Sequence, residues 1–271
     1  MPNPNAPLDL ARIRDGVADT RFGDVRYVAE TASTNSDAQP LLGEPTSRGT
    51  TLVAEHQTAG VGRKGRAWIA PPGSALLFTS LLPEPIPTTA LWAVPFWISL
   101  GVAAGVEEAC GAVLDLVWPN DLFARGRKCG GILSVTRITS DRADVGCGVG
   151  LNVLRPPTDT PLAALTPPPI FFDDLATVPS REAVLVAILH AFDASFAALA
   201  DPEHIARAWE RRAGLAGTPY NYRRDSDGIE RSGTALRIGP GGTLIVRGEF
   251  GEEAIDMADV RVTATSQSRQ A

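Results

Sequence analysis

The chain has 271 residues, of which 44% are hydrophobic and 21% charged, and it carries a net charge of −6 with a pI near 5.2. That balance fits one sizeable globular domain with a smaller one attached, and the overall acidity argues against nonspecific binding to DNA. Three cysteines without a CxxC pair and three scattered histidines give no disulfide framework and no metal-ligand spacing.

In chain order, Met1 to Leu10 is Pro- and Asn-rich and lacks a signal pattern, and Leu8 to Val17 has room for one short helix. Val25 to Glu30 alternates like a strand, and Ser33 or Thr34 can cap a short helix that Pro40 limits. Thr50 to His56 is an apolar strand, Gln57 to Arg66 a polar Gly/Arg loop, and Ser74 to Leu82 another strand closed by Pro83 and Pro85. Leu91 to Cys110 has helical periodicity, and Pro95, Glu107 and Glu108 interrupt it as a membrane span. Val113 to Trp118 is a strand that Pro119 stops, and Lys128 to Ile138 pairs with Ala143 to Val153 across a polar turn.

Pro156, Pro157, Pro161, Pro167, Pro168 and Pro169 mark a surface loop. Arg181 to Ala200, capped by Ser180, and Pro202 to Arg212 are helices. Beyond Gly214 four short alternating runs (Pro219 to Arg224, Ile229 to Ile238, Thr243 to Phe250 and Glu253 to Val262) have the turn spacing of a small β-barrel. The expected class is α+β, a mixed, largely antiparallel sheet with helices, divided into an N-terminal extension (1–21), a catalytic domain (22–212) and a small C-terminal barrel domain (213–271). Free thiols and the lack of a signal pattern point to the cytoplasm.

Gly60-Val61-Gly62-Arg63-Lys64-Gly65 spells GxGxxG after a strand. A dinucleotide fingerprint must open a helix, however, and here Pro71 and Pro72 block one. What remains is a glycine-rich, cationic loop able to close around an anion, followed by Trp68, which can cover a ring or anchor the core. A second basic cluster, Arg125, Arg127 and Lys128, stands near the fixed turn Trp118-Pro119-Asn120-Asp121. Two cationic patches on an acidic chain suggest an anionic small molecule. Gly130-Gly131 behind Lys128, and Gly146 to Asn152 with its alternating small residues, leave room for a flat ligand.

Ser33-Thr34-Asn35, Ala54 to Gly60 leading into Gly62 to Trp68, Trp118 to Asp121, Lys128 with Gly131 to Leu133, and Gly148 to Asn152 follow in an order that resembles the biotin protein ligases. The likeness runs from about Val25 into the C-terminal part. It implies a class II synthetase-like catalytic domain with an SH3-like barrel, activation of biotin by ATP to biotinyl-5′-AMP, and transfer to a lysine of a biotin carrier domain, usually that of acetyl-CoA carboxylase. Magnesium enters with ATP as substrate; no fixed protein metal site and no prosthetic group is expected. By resemblance, Ser33, Thr34, Asn35 and Gln57 bind the ureido end of biotin or its neighbourhood. Gly60, Val61, Gly62, Arg63, Arg66 and Trp68 close over the adenylate, beside Gly131 and Gly148. Arg63 and Lys128 neutralise phosphate and carboxylate from opposite walls. Asn120 and Asp121 shape the site, Asp121 orienting or deprotonating the incoming lysine.

Two positions depart from the family, which usually has arginine at Val61 and lysine at Val117. If both missing side chains act in the transition state, each loss costs about 2–4 kcal/mol, unless Lys64, Arg66 or Arg127 compensates. Only about two dozen residues precede the first core strand, too few for the winged helix-turn-helix of some members, so neither DNA nor a membrane is an expected partner. The oligomeric state stays open, a homodimer among the alternatives. Two other readings compete: a lipoate or octanoate ligase or transferase of the same superfamily, and a degenerate biotin-binding module without catalysis.

Overall fold

The computed structural model describes residues 7–156, 162, 165, 167–176 and 180–257, and the backbone of 260–265. Part of the proline-rich loop, the first six residues and the last six lie outside that range. Helix α1 (Leu10–Val17) starts at Asp9, whose carboxylate accepts the Arg12 N–H at 3.1 Å. Strand β1 (Asp24–Thr31) leads through Ser33 into the short helix α2 (Thr34–Ala38) and a 3₁₀ turn, Gln39–Leu41, as Pro40 requires. Then come β2 (Thr50–Gln57), β3 (Ala75–Leu81), the two-residue β4 (Ile86–Pro87) and helix α3 (Val94–Cys110). Strands β5 (Asp115–Val117), β6 (Asp121–Ala124), β7 (Arg127–Thr139) and β8 (Arg142–Asn152) follow, and then α4 (Arg181–Ser195) and α5 (Pro202–Ala213).

The larger sheet runs β1-β2-β3-β8-β7-β6-β5, with β4 on the flank of β8. The β1–β2 pair is parallel and the other described pairs are antiparallel, so the sheet is mixed and largely antiparallel as expected. Neither β4 nor β6 was anticipated. Both are too short for alternation to register.

Length and composition would let Thr88–Cys110 and Arg181–Ala200 each cross a bilayer. In the fold α3 and α4 instead pack on each other. A Cβ on Gly105 would stand 2.6 Å from the backbone of Ile188, and Trp97 stacks on Phe192 with ring centroids 4.8 Å apart. Helix α4 is capped by Ser180, which accepts the Ala183 N–H at 3.3 Å. Beneath it the buried Arg181 pairs with Glu55 at 2.5 Å, and Glu55 also accepts the Leu8 N–H at 3.1 Å. Leu8, Ile13 and Val17 thereby join the core, so the N-terminal stretch is built into the fold.

The C-terminal strands are β9 (Pro219–Arg224), β10 (Glu230–Ile238), β11 (Leu244–Gly248), β12 (Gly251–Ile255) and β13 (Val260–Thr265). Their order is β12-β11-β10-β9-β13, an antiparallel sheet. Among the described residues no ladder joins β12 to β13, so the expected barrel is an open sheet in its hydrogen bonding. The expected run Glu253 to Val262 divides into two strands, β12 and β13, around Asp256 and Met257. Tyr220, Tyr222, Leu244 and Val246 share one hydrophobic cluster with Trp118 and the larger sheet. The Trp118 indole donates to the Gly242 carbonyl at 3.1 Å.

Because backbone atoms of α4 occupy the space beside Gly105, Gly105→Ala should destabilise the protein by about 2–3 kcal/mol through overpacking. Urea denaturation reads this directly, and an unchanged midpoint would show that the helices are not so closely apposed.

Candidate active site

A cavity of about 170 Å³ opens on the face of the larger sheet. Its polar end is built where β2 stops and α2 starts. The Gln57 Oε1 accepts from the Thr34 N–H at 2.8 Å and the Thr34 hydroxyl at 3.0 Å. The Thr79 hydroxyl, from β3, lies 2.8 Å from both Thr34 Oγ1 and Asn35 Oδ1, and the Asn35 amide donates to the Leu133 carbonyl at 2.9 Å. A side chain on Gly148 would collide with this network, its Cβ falling 2.2 Å from Asn35 Oδ1. Glycine is required there because an amide occupies the place of a side chain.

The Gly60–Trp68 loop is a tight hairpin, not the start of a helix. Gly62 N–H donates to the Arg66 carbonyl at 2.7 Å, Trp68 N–H to the Gly60 carbonyl at 2.8 Å, and Val61 bridges Ala67. Lys64 and Gly65 turn the tip with φ of 58° and 71°. The dinucleotide reading is thereby excluded in three dimensions as well. Trp68 returns across the cavity floor, where a Cβ on Gly150 would stand 2.8 Å from the indole. The indole N–H is buried and has no hydrogen-bond partner among the described residues.

The cationic end forms around the cis Trp118-Pro119 turn. Asn120 locks onto β7, its side-chain amide donating to the Ile132 carbonyl at 2.7 Å and its backbone carbonyl accepting the Ile132 N–H at 3.0 Å. Asp121 stands opposite Gly131 in the ladder and pairs with Lys128 at 2.6 Å. Lys128 Nζ also lies 5.8 Å from the Trp68 ring centre. Arg63 reaches over from the loop, donating to Asn120 Oδ1 at 3.4 Å and to the Met257 carbonyl. Burial pulls its pKa below the ordinary arginine value, and Asp121 opposes that shift; a guanidinium stays charged nonetheless. Cys129 and Cys147 are sealed in the sheet, and burial pushes both thiols up, so they stay neutral.

Ser33, Thr34, Asn35, Gln57, Val61, Gly62, Arg63, Arg66, Trp68, Asn120, Asp121, Lys128, Gly131 and Gly148 all line this one cavity. Gly60 does not; its role is spacing, since a Cβ there would meet the Trp68 carbonyl at 2.8 Å. Val117 is 3% exposed and belongs to the hydrophobic core, so a side chain at that position is not aimed at the cavity here. Arg127 is likewise no substitute cation, being held by the Pro168 and Pro169 carbonyls at 3.0 and 2.5 Å. Lys64 is paired with Asp225, which leaves Arg66 among the proposed compensators. Three participants escaped the sequence: Thr79, the Leu133 carbonyl and the Met257 carbonyl. A threonine inside an apolar strand gives no local signal, and backbone acceptors give none at all. No group of three His, Cys, Asp or Glu side chains converges among the described residues.

A model of the Biotin/lipoate A/B protein ligase family matches residues 27–152. The chain is 33% identical over 156 residues to the Bifunctional ligase/repressor BirA of Bacillus subtilis, covering 57% of this chain and 48% of that protein, about half its length. It is 31% identical over 241 residues to the Biotin--[acetyl-CoA-carboxylase] ligase of Paracoccus denitrificans, covering 86% of this chain and 98% of the relative. Its fold superposes on a biotin protein ligase from Aquifex aeolicus in complex with biotin and ATP with a TM-score of 0.70 at 22% identity, covering 88% of this chain and 98% of that one. Covering the Paracoccus relative nearly end to end, the chain belongs to the biotin/lipoate A/B protein ligase family.

Proposed function

We propose that the chain is a biotin protein ligase, which activates biotin with MgATP to biotinyl-5′-AMP and transfers the biotinyl group to a lysine of a carrier domain. The observation that carries this reading is the convergence of Arg63 and Lys128, from separate parts of the chain, on one cavity whose other end is a network of neutral hydrogen-bonding groups. A neutral polar pocket suits a ureido ring, and a cationic end suits a carboxylate meeting a phosphate.

In the first half-reaction a biotin carboxylate oxygen attacks the α-phosphorus of ATP and pyrophosphate leaves. Two anions repel as they approach, so preorganised positive charge is the main requirement. Arg63 and Lys128 supply it, with Arg66 on the same wall. Val61 contributes only backbone and an exposed apolar side chain, and with Val117 it leaves this chain two cations short of the family pattern. Lys128 rests against Asp121 until an anion competes for it. In the second half-reaction the neutral amine of the acceptor lysine attacks the acyl carbon and AMP leaves. Asp121, which lines the cavity, is the group to orient the amine or take its proton. The loop and Trp68 exclude water from the mixed anhydride.

The relative from Paracoccus denitrificans, named for its ligation of biotin to acetyl-CoA carboxylase, suggests that enzyme's carrier domain as acceptor. A cytoplasmic setting fits the three free thiols. The division into a catalytic part (22–212) and a C-terminal part (213–271), with a short N-terminal extension (1–21), follows the end of α5 at Ala213.

Biotin-dependent ATP–pyrophosphate exchange tests the reading, with lipoate and octanoate in parallel. Exchange with biotin alone is expected; exchange with lipoate or octanoate alone would move the chain to another branch of the family, and none with any acid would refute ligase activity. Lys128→Ala should lower exchange by about a hundredfold or more with an unchanged circular dichroism spectrum; near-normal exchange would remove Lys128 from the chemistry. Gly148→Ala should drive Asn35 from its place and weaken biotin binding by about tenfold or more in calorimetry, because a buried polar group loses its partner.

A further inference from the structure

Trp68 seats the base of the loop on the larger sheet, whereas its tip is held in part from outside that sheet. The loop's own cross-links are backbone hydrogen bonds near its base and at Gly62, and a Cβ on Gly65 at the tip would meet nothing within 4 Å. Two consecutive side chains reach instead to the C-terminal sheet: Arg63 donates to the Met257 carbonyl, and the Lys64 ammonium pairs with the Asp225 carboxylate. Asp225 opens the turn between β9 and β10, and Met257 follows β12 with its methyl group against Gly242, the residue whose carbonyl holds Trp118.

We propose that Asp225 is a positioning residue: its ion pair with Lys64 latches the Gly60–Trp68 loop over the cavity and so holds the acyl-adenylate until the acceptor lysine arrives. The inference rests on the ligase reading above and assigns a task to the C-terminal sheet. It also separates the roles of two neighbouring cations. Arg63, shared between Asn120 and Met257, lies at the cavity wall and faces the reacting anion. Lys64 also lines the cavity, but its ammonium is engaged by Asp225, so its charge serves closure. With the Lys64 side chain 17% exposed and that of Asp225 38% exposed, the pair is partly screened, and effects of about three- to tenfold are expected rather than complete loss.

Charge exchange tests this in the full chain. Cleavage by trypsin after Arg66, a bond to Ala67 that is the same in every variant, is followed by mass spectrometry in the wild type, Asp225→Lys, Lys64→Asp and the double exchange. Each single reversal should speed cleavage at least threefold, and the double exchange should return it to within twofold of the wild type. The rate at which preformed biotinyl-5′-adenylate leaves Asp225→Lys should rise by a similar factor. Unchanged cleavage in the single variants, or no recovery in the double, would overturn the latch, as would faster cleavage with unaltered release of the adenylate. A wild type that forms no adenylate would refute the ligase reading instead, and the cleavage series would still decide whether the pair holds the loop.

Discussion

In the antiparallel ladder between β7 and β8, Leu133 faces Gly148 and Gly131 faces Gly150; one strand further, Asp121 faces Gly131. Residues directly opposite in a sheet share a face. This register therefore lays the glycines in a shelf that runs from the Asn35 amide to the Lys128–Asp121 pair. A slip of one residue would turn the side chains of Val149 and Ile132, now in the core, toward the cavity and send the glycines to the other face. The polar pocket, the seat of Trp68 and the cationic end all depend on that alignment, and the helix pair α3–α4 on the opposite side stabilises it by burying apolar surface.

Electrostatics at the cationic end follow from the same geometry. Lys128 has a carboxylate at 2.6 Å, and Arg63 is hydrogen-bonded to neutral oxygens within the field of Asp121, Asp225 and Asp256, so the site holds positive charge without leaving it uncompensated. Both side chains are held by neighbours, so the cationic end is organised by the protein itself.

Most of the site was legible because its residues come in short blocks with strong local chemistry: the Gly/Arg loop, the Trp-Pro turn, the glycine pairs. The strands carrying them alternate clearly enough to be read, as do the capped helices. What escaped has physical reasons. Strand β6 lies in Asp121–Ala124, directly after a turn, and its four residues are fixed by pairing with β7 rather than by propensity. The burial of Val117 depends on which face of β5 meets the core, a tertiary matter. Trp68 shows a mixed outcome, as it both lines the cavity and packs on Ala70, Ala75 and Leu77. The contacts from Arg63 and Lys64 to the C-terminal sheet span most of the chain, and no local pattern encodes them.

The cysteines adjoin two key positions, Cys129 next to Lys128 and Cys147 next to Gly148, yet their side chains are enclosed within the sheet. Alternation along a strand thus insulates the reactive sulfur atoms from the very pocket they border. Peroxide or an alkylating reagent meets neither thiol in the native fold, whereas Cys110, partly accessible at the end of α3, remains within reach. Among the three thiols, modification would therefore begin at Cys110, which does not line the cavity.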